Sequence, residues 1–97
     1  MHVRTGRVSF SPDKVDDLIS HVRDTIIPMY EGTDGYKGFR LLVDRESGRA
    51  QGVSFWDSEE QMRAQDEVAG KARAGAAEAG GGSVEGVEYY EMVIDAT

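Results

Sequence analysis

Cysteine is absent from this chain of 97 residues, so neither a disulfide framework nor thiolate chemistry is open to it. Long apolar runs are absent too. Leu41-Leu42-Val43 is among the longest, far short of a membrane span or the apolar segment of a secretion signal. These absences set the expectation of a cytoplasmic protein with no membrane partner. Histidine occurs only as His2 and His21, which are too far apart to form a metal site without thiolates, so no metal is expected. Basic side chains are scarce: 11 Lys and Arg stand against 18 Asp and Glu, a formal net charge of −7. The deficit lies in the second half, where residues 50–97 carry three basic and ten acidic side chains, while residues 1–49 carry eight of each. No basic stripe exists to neutralise phosphates, which argues against a nucleic-acid partner.

What is present is periodic. Residues 2–10, HVRTGRVSF, alternate as a strand does. Ser11 then offers an N-cap and Pro12 a first helical residue. Val15, Leu18, Ile19, Val22 and Ile26 form one apolar helical stripe. Pro28 removes a backbone donor, so this helix is predicted to end or kink near Ile27, with a glycine-rich loop following. The stretch GFRLLVDRESGRAQGVSFW, residues 38–56, reads as a hairpin turned at Glu46-Ser47-Gly48. Asp57 or Ser58 caps a second helix, with Glu60 or Gln61 as the capping-box partner. It is predicted to run to about Ala79, with a thin inner face of Met62, Ala69, Ala72 and Ala76 flanked by Val68 and Ala79. Gly80-Gly81-Gly82-Ser83 reads as a flexible connector, and the last strand as Val87 to Ile94.

The order β-α-β-β-α-β predicts a single domain over residues 1–97. Its class is α+β, ferredoxin-like, with an antiparallel sheet and two helices on one face. Yet strands two to four carry apolar residues on both faces. Phe39, Leu41 and Val43 oppose Leu42, and Val53 and Phe55 oppose Trp56. A monomer would leave a large apolar patch in water, so a homodimer joined sheet to sheet is expected, a dimeric α/β barrel. Val53 and Phe55 are assigned to its seam.

Gly38-Phe39-Arg40 with LLVDRESGR behind it, then SFWDSEEQMRA, then EYYEMV, resemble the antibiotic biosynthesis monooxygenase-like family of the dimeric α/β-barrel superfamily. The pattern Trp56-Asp57-Ser58-Glu59-Glu60 at the end of strand three carries most of the likeness. The resemblance implies the same fold and dimer. It also implies functions that range from cofactor-free oxygenation of polyketide aromatics to haem degradation and isomerisation of small molecules. Trp56 matches the family's Trp. The Asn of its haem-degrading and polyketide-oxidising members has no counterpart, since the chain lacks Asn, and residues 57–79 hold no His. No haem, flavin or other cofactor is therefore expected, and the catalytic residues stay unassigned.

Topology locates a site independently. In such a sheet the first and third strands are central and antiparallel, so Trp56 should lie beside His2 and Arg4. The first helix should bring Ile26, Met29 and Tyr30 to that edge, and the second Met62 and Gln65. Ala50, Gly52 and Ser54 share the face of Trp56, opposite the alanines of the second helix, and small against small leaves room for a void. The expected small-molecule site is Trp56, Arg4, Ser54, Tyr30 and Met62. Plainer roles stand beside these: Trp56 as core, Arg4 as a rim ion pair, His2 frayed, His21 in solvent. Glu88 and Glu91 point to opposite faces and cannot share one proton. The glycines at 80–82 lack the strand-then-helix context of a phosphate loop. Two functions fit. One is cofactor-independent oxidation or isomerisation of a planar aromatic or enone-type metabolite, with Arg4 on the developing oxyanion and Tyr30 or Tyr36 handling a proton. The other is a non-catalytic ligand-binding or stress-associated dimer.

Overall fold

Apolar alternation pairs four strands into one antiparallel sheet, and two amphipathic segments cover one of its faces. In the computed structural model, which describes residues 1–97, the strands are β1 (His2–Ser9), β2 (Tyr36–Asp44), β3 (Arg49–Trp56) and β4 (Val84–Glu91). They lie in the order β2-β3-β1-β4, the ferredoxin-like arrangement predicted from the sequence. β1 and β3 are central, with His2 opposite Trp56 and Gly6 opposite Gly52. The hairpin turns at Gly48, whose φ of +72° is a conformation glycine adopts without strain. No helix is long and apolar enough to cross a membrane, and no group of three or more His, Asp and Glu is placed to hold a metal ion.

The first helical segment does not end near Ile27, one of the two outcomes expected there, but its regular winding is interrupted just before it. After a 3-10 turn at Pro12–Lys14 come α1 (Val15–His21), a π-turn over Val22–Ile26 and α2 (Ile27–Tyr30). The chain does not stop at Ile27; it passes through Pro28. A proline in an α-helix loses one hydrogen bond and presses its ring on the carbonyl four residues back. The wider π-turn relieves this, with the Ile27 N–H donating to Val22 O. The added turn carries Tyr30 into the core and leaves Met29 exposed. His21 is half-buried against Gly75 rather than free in solvent.

The second segment divides at Gln65 into α3 (Glu59–Ala64) and α4 (Asp66–Ala79). Ser58 caps α3 by accepting from the Gln61 N–H. Met62, Ala69 and Ala76 face inward as predicted; Ala77 joins them, Ala72 is half-buried, and Val68 is exposed. The connector after α4 is tied down rather than flexible. Ser9 N–H donates to Ser83 O at 2.9 Å, Ser11 N–H to Gly80 O at 2.8 Å, and Gly82 N–H to Ala77 O at 2.9 Å. A Cβ at Gly82 would overlap the Ser9 carbonyl, so only glycine allows this approach. β4 ends at Glu91, opposite His2, so Val93 and Ile94 lie outside the sheet and in solvent.

Strand parity governs the two faces. Val8, Ala50, Ser54 and Trp56 are buried under the helices with Leu18, Val22, Ile26 and Met62. Val53 and Phe55, on the opposite face, are only half-buried, and Leu42 and Tyr90 there are exposed.

Candidate functional site

Between the sheet and the helices lies a cavity of about 60 Å³. Glycine makes it. Gly6 and Gly52 face each other across the central strand pair, and neither fills the space below α4. A Cβ on Gly52 would meet the Phe39 ring at 2.9 Å, and one on Gly6 would meet Arg73 Cδ at 2.9 Å. Those two side chains, Phe39 and Arg73, take part of the missing volume and wall the remainder.

Arg4 is the most unusual group in the wall. It projects from β1 beneath the helices and is 3 % exposed. One terminal nitrogen, Nη2, donates to the Met62 carbonyl and, at 3.0 Å, to Asp66 Oδ1. Its Nε and Nη1 are buried without any hydrogen-bond partner. Buried donors are nearly always satisfied, and an orphaned one costs about 1–3 kcal/mol, more on a charged group. The sequence-level alternative of a rim ion pair is half right: Asp66 is the acid, but the pair is buried on the Arg side, with side-chain exposures of 4 % and 37 %. The guanidinium lies 5.6 Å from the Trp56 ring and 5.9 Å from that of Tyr89. Asp66 also accepts from the Tyr89 hydroxyl at 3.2 Å and pairs with Arg63 at 3.6 Å.

Of the five residues expected to bind a ligand, Arg4, Ser54 and Tyr30 reach the cavity wall. Trp56 and Met62 are completely buried behind them. The indole N–H donates to Ser54 Oγ at 2.9 Å, fixing that hydroxyl. Tyr30 packs edge-on to Trp56, with centroids 5.5 Å apart, and stacks on Tyr36 at 5.6 Å. Trp56 is thus the hub of an aromatic cluster at one end of the helix-sheet layer. Trp56→Ala is expected to cost about 3–5 kcal/mol, the range for emptying a buried Trp site. Urea unfolding would measure it, and a loss below about 1 kcal/mol would contradict this packing.

Burial raises the Tyr30 phenol above its ordinary range, with the Arg4 and Arg73 charges opposing. Burial and then the Glu31 charge raise Tyr36. Both phenols are therefore protonated at neutral pH and can donate a hydrogen bond but not act as bases. Met29 does not join the site, and neither histidine is on the cavity wall.

Arg73 was not anticipated. It sits on α4 four residues after Ala69 and three before Ala76, on the face read as purely alanine. It lines the cavity, lays its stem against Gly6, and has no acidic partner. Its one hydrogen bond runs to Ala69 O of its own helix at 3.3 Å. A protein of net charge −7 thus presents two guanidinium groups to one small void.

No protein-family model matches the chain. Among known proteins it is similar to the uncharacterised Rv2557 of Mycobacterium tuberculosis, 37 % identical over 92 residues, or 95 % of this chain and 41 % of that one. It is likewise similar to the uncharacterised Rv2558 of the same organism, 38 % identical over 94 residues, or 97 % of this chain and 39 % of that one. The chain thus spans about two fifths of the length of these relatives. Solved structures share its architecture. The heme-degrader MhuD of M. tuberculosis superposes with a TM-score of 0.72 at 22 % identity, covering 100 % of both chains. A protein described as an antibiotic biosynthesis monooxygenase, from Deinococcus radiodurans, gives 0.74 at 16 %, covering 100 % of this chain and 97 % of that one. The ActVA-Orf6 monooxygenase of Streptomyces coelicolor, in complex with Nanaomycin D, gives 0.70 at 12 %, covering 99 % and 88 %. The chain has the ferredoxin-like fold that the resemblance to antibiotic biosynthesis monooxygenase-like proteins implied.

Proposed function

We propose that this chain is a small-molecule-binding domain of the antibiotic biosynthesis monooxygenase type. It takes a planar aromatic or enone-type metabolite between sheet and helices and promotes cofactor-independent oxygenation of it. One observation carries the reading: Arg4 is buried at a cavity with Nε and Nη1 unpaired. Folding leaves those donors unused, whereas an oxyanion entering the cavity would accept from the one it meets. Ser54, held by Trp56, adds a hydroxyl, and protonated Tyr30 adds a donor and an aromatic face. The cavity wall contains no base. The substrate must therefore arrive as, or easily become, an electron-rich anion, with the protein binding, orienting and desolvating it. The fold shared with the ActVA-Orf6 monooxygenase supports this chemistry.

The absent base also favours a second reading, a dimer that binds the same ligand without turnover. Haem, which MhuD binds, fits this chain poorly. The cavity of about 60 Å³ is far below a macrocycle's volume, and neither histidine is on its wall. Entry of any ring requires movement, which the long Arg73 stem can supply.

The outer sheet face completes the proposal. Leu42, Val53, Phe55 and Tyr90 form an apolar surface that a second copy would cover. Within it Arg7 grips Glu88 through two hydrogen bonds of 3.1 and 2.9 Å.

A titration with a hydroxylated naphthoquinone, followed by the single Trp fluorescence and by oxygen uptake, tests this. We expect saturable quenching of Trp56, because the ligand would displace Arg4 against the indole. Oxygen uptake separates the enzyme from the binder. Indole emission unchanged at millimolar ligand would sink both.

A further inference from the structure

We infer that the ligand is a carboxylate, held by Arg4 from inside the cavity and clasped by Arg73 at its mouth. The inference rests on the cavity reading above and deepens it by naming the ligand's charged group. Arg4 and Gly6 are two residues apart on the same face of β1, about 7 Å along the strand. The Arg73 stem lies against Gly6, so the two side chains approach the same stretch of wall from opposite layers. Arg4 contributes two buried donors with no partner. Arg73 contributes a guanidinium that no acid neutralises, parked on a carbonyl of its own helix at 3.3 Å. Such a bond is easily exchanged: Ala69 O is a helix carbonyl already served by its own backbone ladder.

An acid group suits this pair better than a neutral one. Once released from Ala69 O, the Arg73 guanidinium matches a carboxylate with two parallel hydrogen bonds, and the carboxylate keeps lone pairs for a single N–H of Arg4, whose Nη2 is already spent. Asp66 does not fill the place. It meets Arg4 through Nη2 only, leaving Nε–H without an acceptor, and it lies toward Tyr89 and Arg63. A quinone carbonyl or a neutral enone would leave one of the two cations unanswered in a site of low dielectric. Because Arg73 bars the cavity at Gly6, it would have to leave its carbonyl as the ligand enters and would close on the carboxylate afterwards.

Calorimetric titration of the full chain with benzoate, and with benzamide as its uncharged isostere, tests the inference. Benzoate is expected to bind at least about tenfold more tightly than benzamide, as two charge-assisted contacts require. Arg73→Gln should weaken benzoate about tenfold more than it alters benzamide affinity. Arg23→Gln, which removes an exposed cation far from the cavity, should change neither. Equal affinities for the two ligands would overturn the carboxylate assignment while leaving the cavity as a ring-binding site. Full benzoate affinity in Arg73→Gln would overturn the clasp. No heat with either ligand at millimolar concentration would overturn both this inference and the cavity reading.

Discussion

Arg4→Met is expected to leave the protein as stable as the wild type, or more stable by up to about 2 kcal/mol, and to weaken ligand binding about ten- to a hundredfold. The two effects have one cause. A buried guanidinium with Nε and Nη1 unpaired is a poor structural element, and an unbranched apolar side chain fills the same space without desolvating a charge. The acceptors left behind are not stranded. Met62 O also accepts from Gln65 N–H at 3.1 Å, and Asp66 retains Tyr89 and Arg63. Binding, by contrast, loses a charge-assisted hydrogen bond of about 1.5–3 kcal/mol, about ten- to a hundredfold in Kd. Thermal melts and ligand titration of the variant measure both halves. A large fall in melting temperature would make Arg4 a structural residue and remove the main support for the site.

Phe55→Asp is expected to convert a dimer into a folded monomer. Phe55 shares the outer face with Val53, and neither lies under the helices, so the substitution spares the core. In a two-fold seam it enters twice. Two unpaired carboxylates in an apolar interface cost about 4 kcal/mol or more, about a thousandfold in the dimer dissociation constant. Arg40, which stacks 5.5 Å over the Phe55 ring, can offset part of this in the monomer by pairing with the new acid in water. Sedimentation should give twice the 10.6 kDa chain mass for wild type and the single mass for the variant, with unchanged far-ultraviolet dichroism. A wild type that sediments as a monomer at micromolar concentration would contradict the seam.

The strands, their order and the inward set of Ala50, Ser54, Trp56 and Met62 were legible because each rests on local rules. Strand parity, a helical apolar stripe and a Ser58 cap can be read within a few residues. What escaped depends on tertiary context. Pro28 reads as an end or a kink, and only the folded chain shows the π-turn upstream that lets the helix continue. Tyr36 escaped the aromatic cluster because the β2 register shifts between Tyr36 and Gly38, a bulge that puts Tyr36 on the same face as Phe39. Val93 and Ile94 alternate like a strand, but the ladder with β1 ends at the His2–Glu91 pair, followed only by a bond from Met92 N–H to Met1 O at 2.8 Å.

The site was half legible for similar reasons. Arg4 and Ser54 follow from antiparallel register alone. Arg73 was hidden by its charge. Its spacing from Ala69 and Ala76 puts it on the inner face, but a cation among alanines reads as solvent-facing until a glycine opposite gives its stem a groove. Gly6 opposite Gly52 was the signal available, since the β1–β3 register pairs them and a paired loss of side chains on a covered face implies a void.

The most direct test of the central claim is the side-chain Nε–H resonance of Arg4 in a nitrogen–proton spectrum, followed as benzoate is added. The Nε–H of Arg4 is buried and unbonded without ligand, so it should move downfield saturably as a carboxylate oxygen accepts from it. The exposed Arg23 and Arg49 should stay in place. An Arg4 signal that stays fixed while benzoate binds, or while nothing binds, would contradict the assignment of this cavity as an anion site.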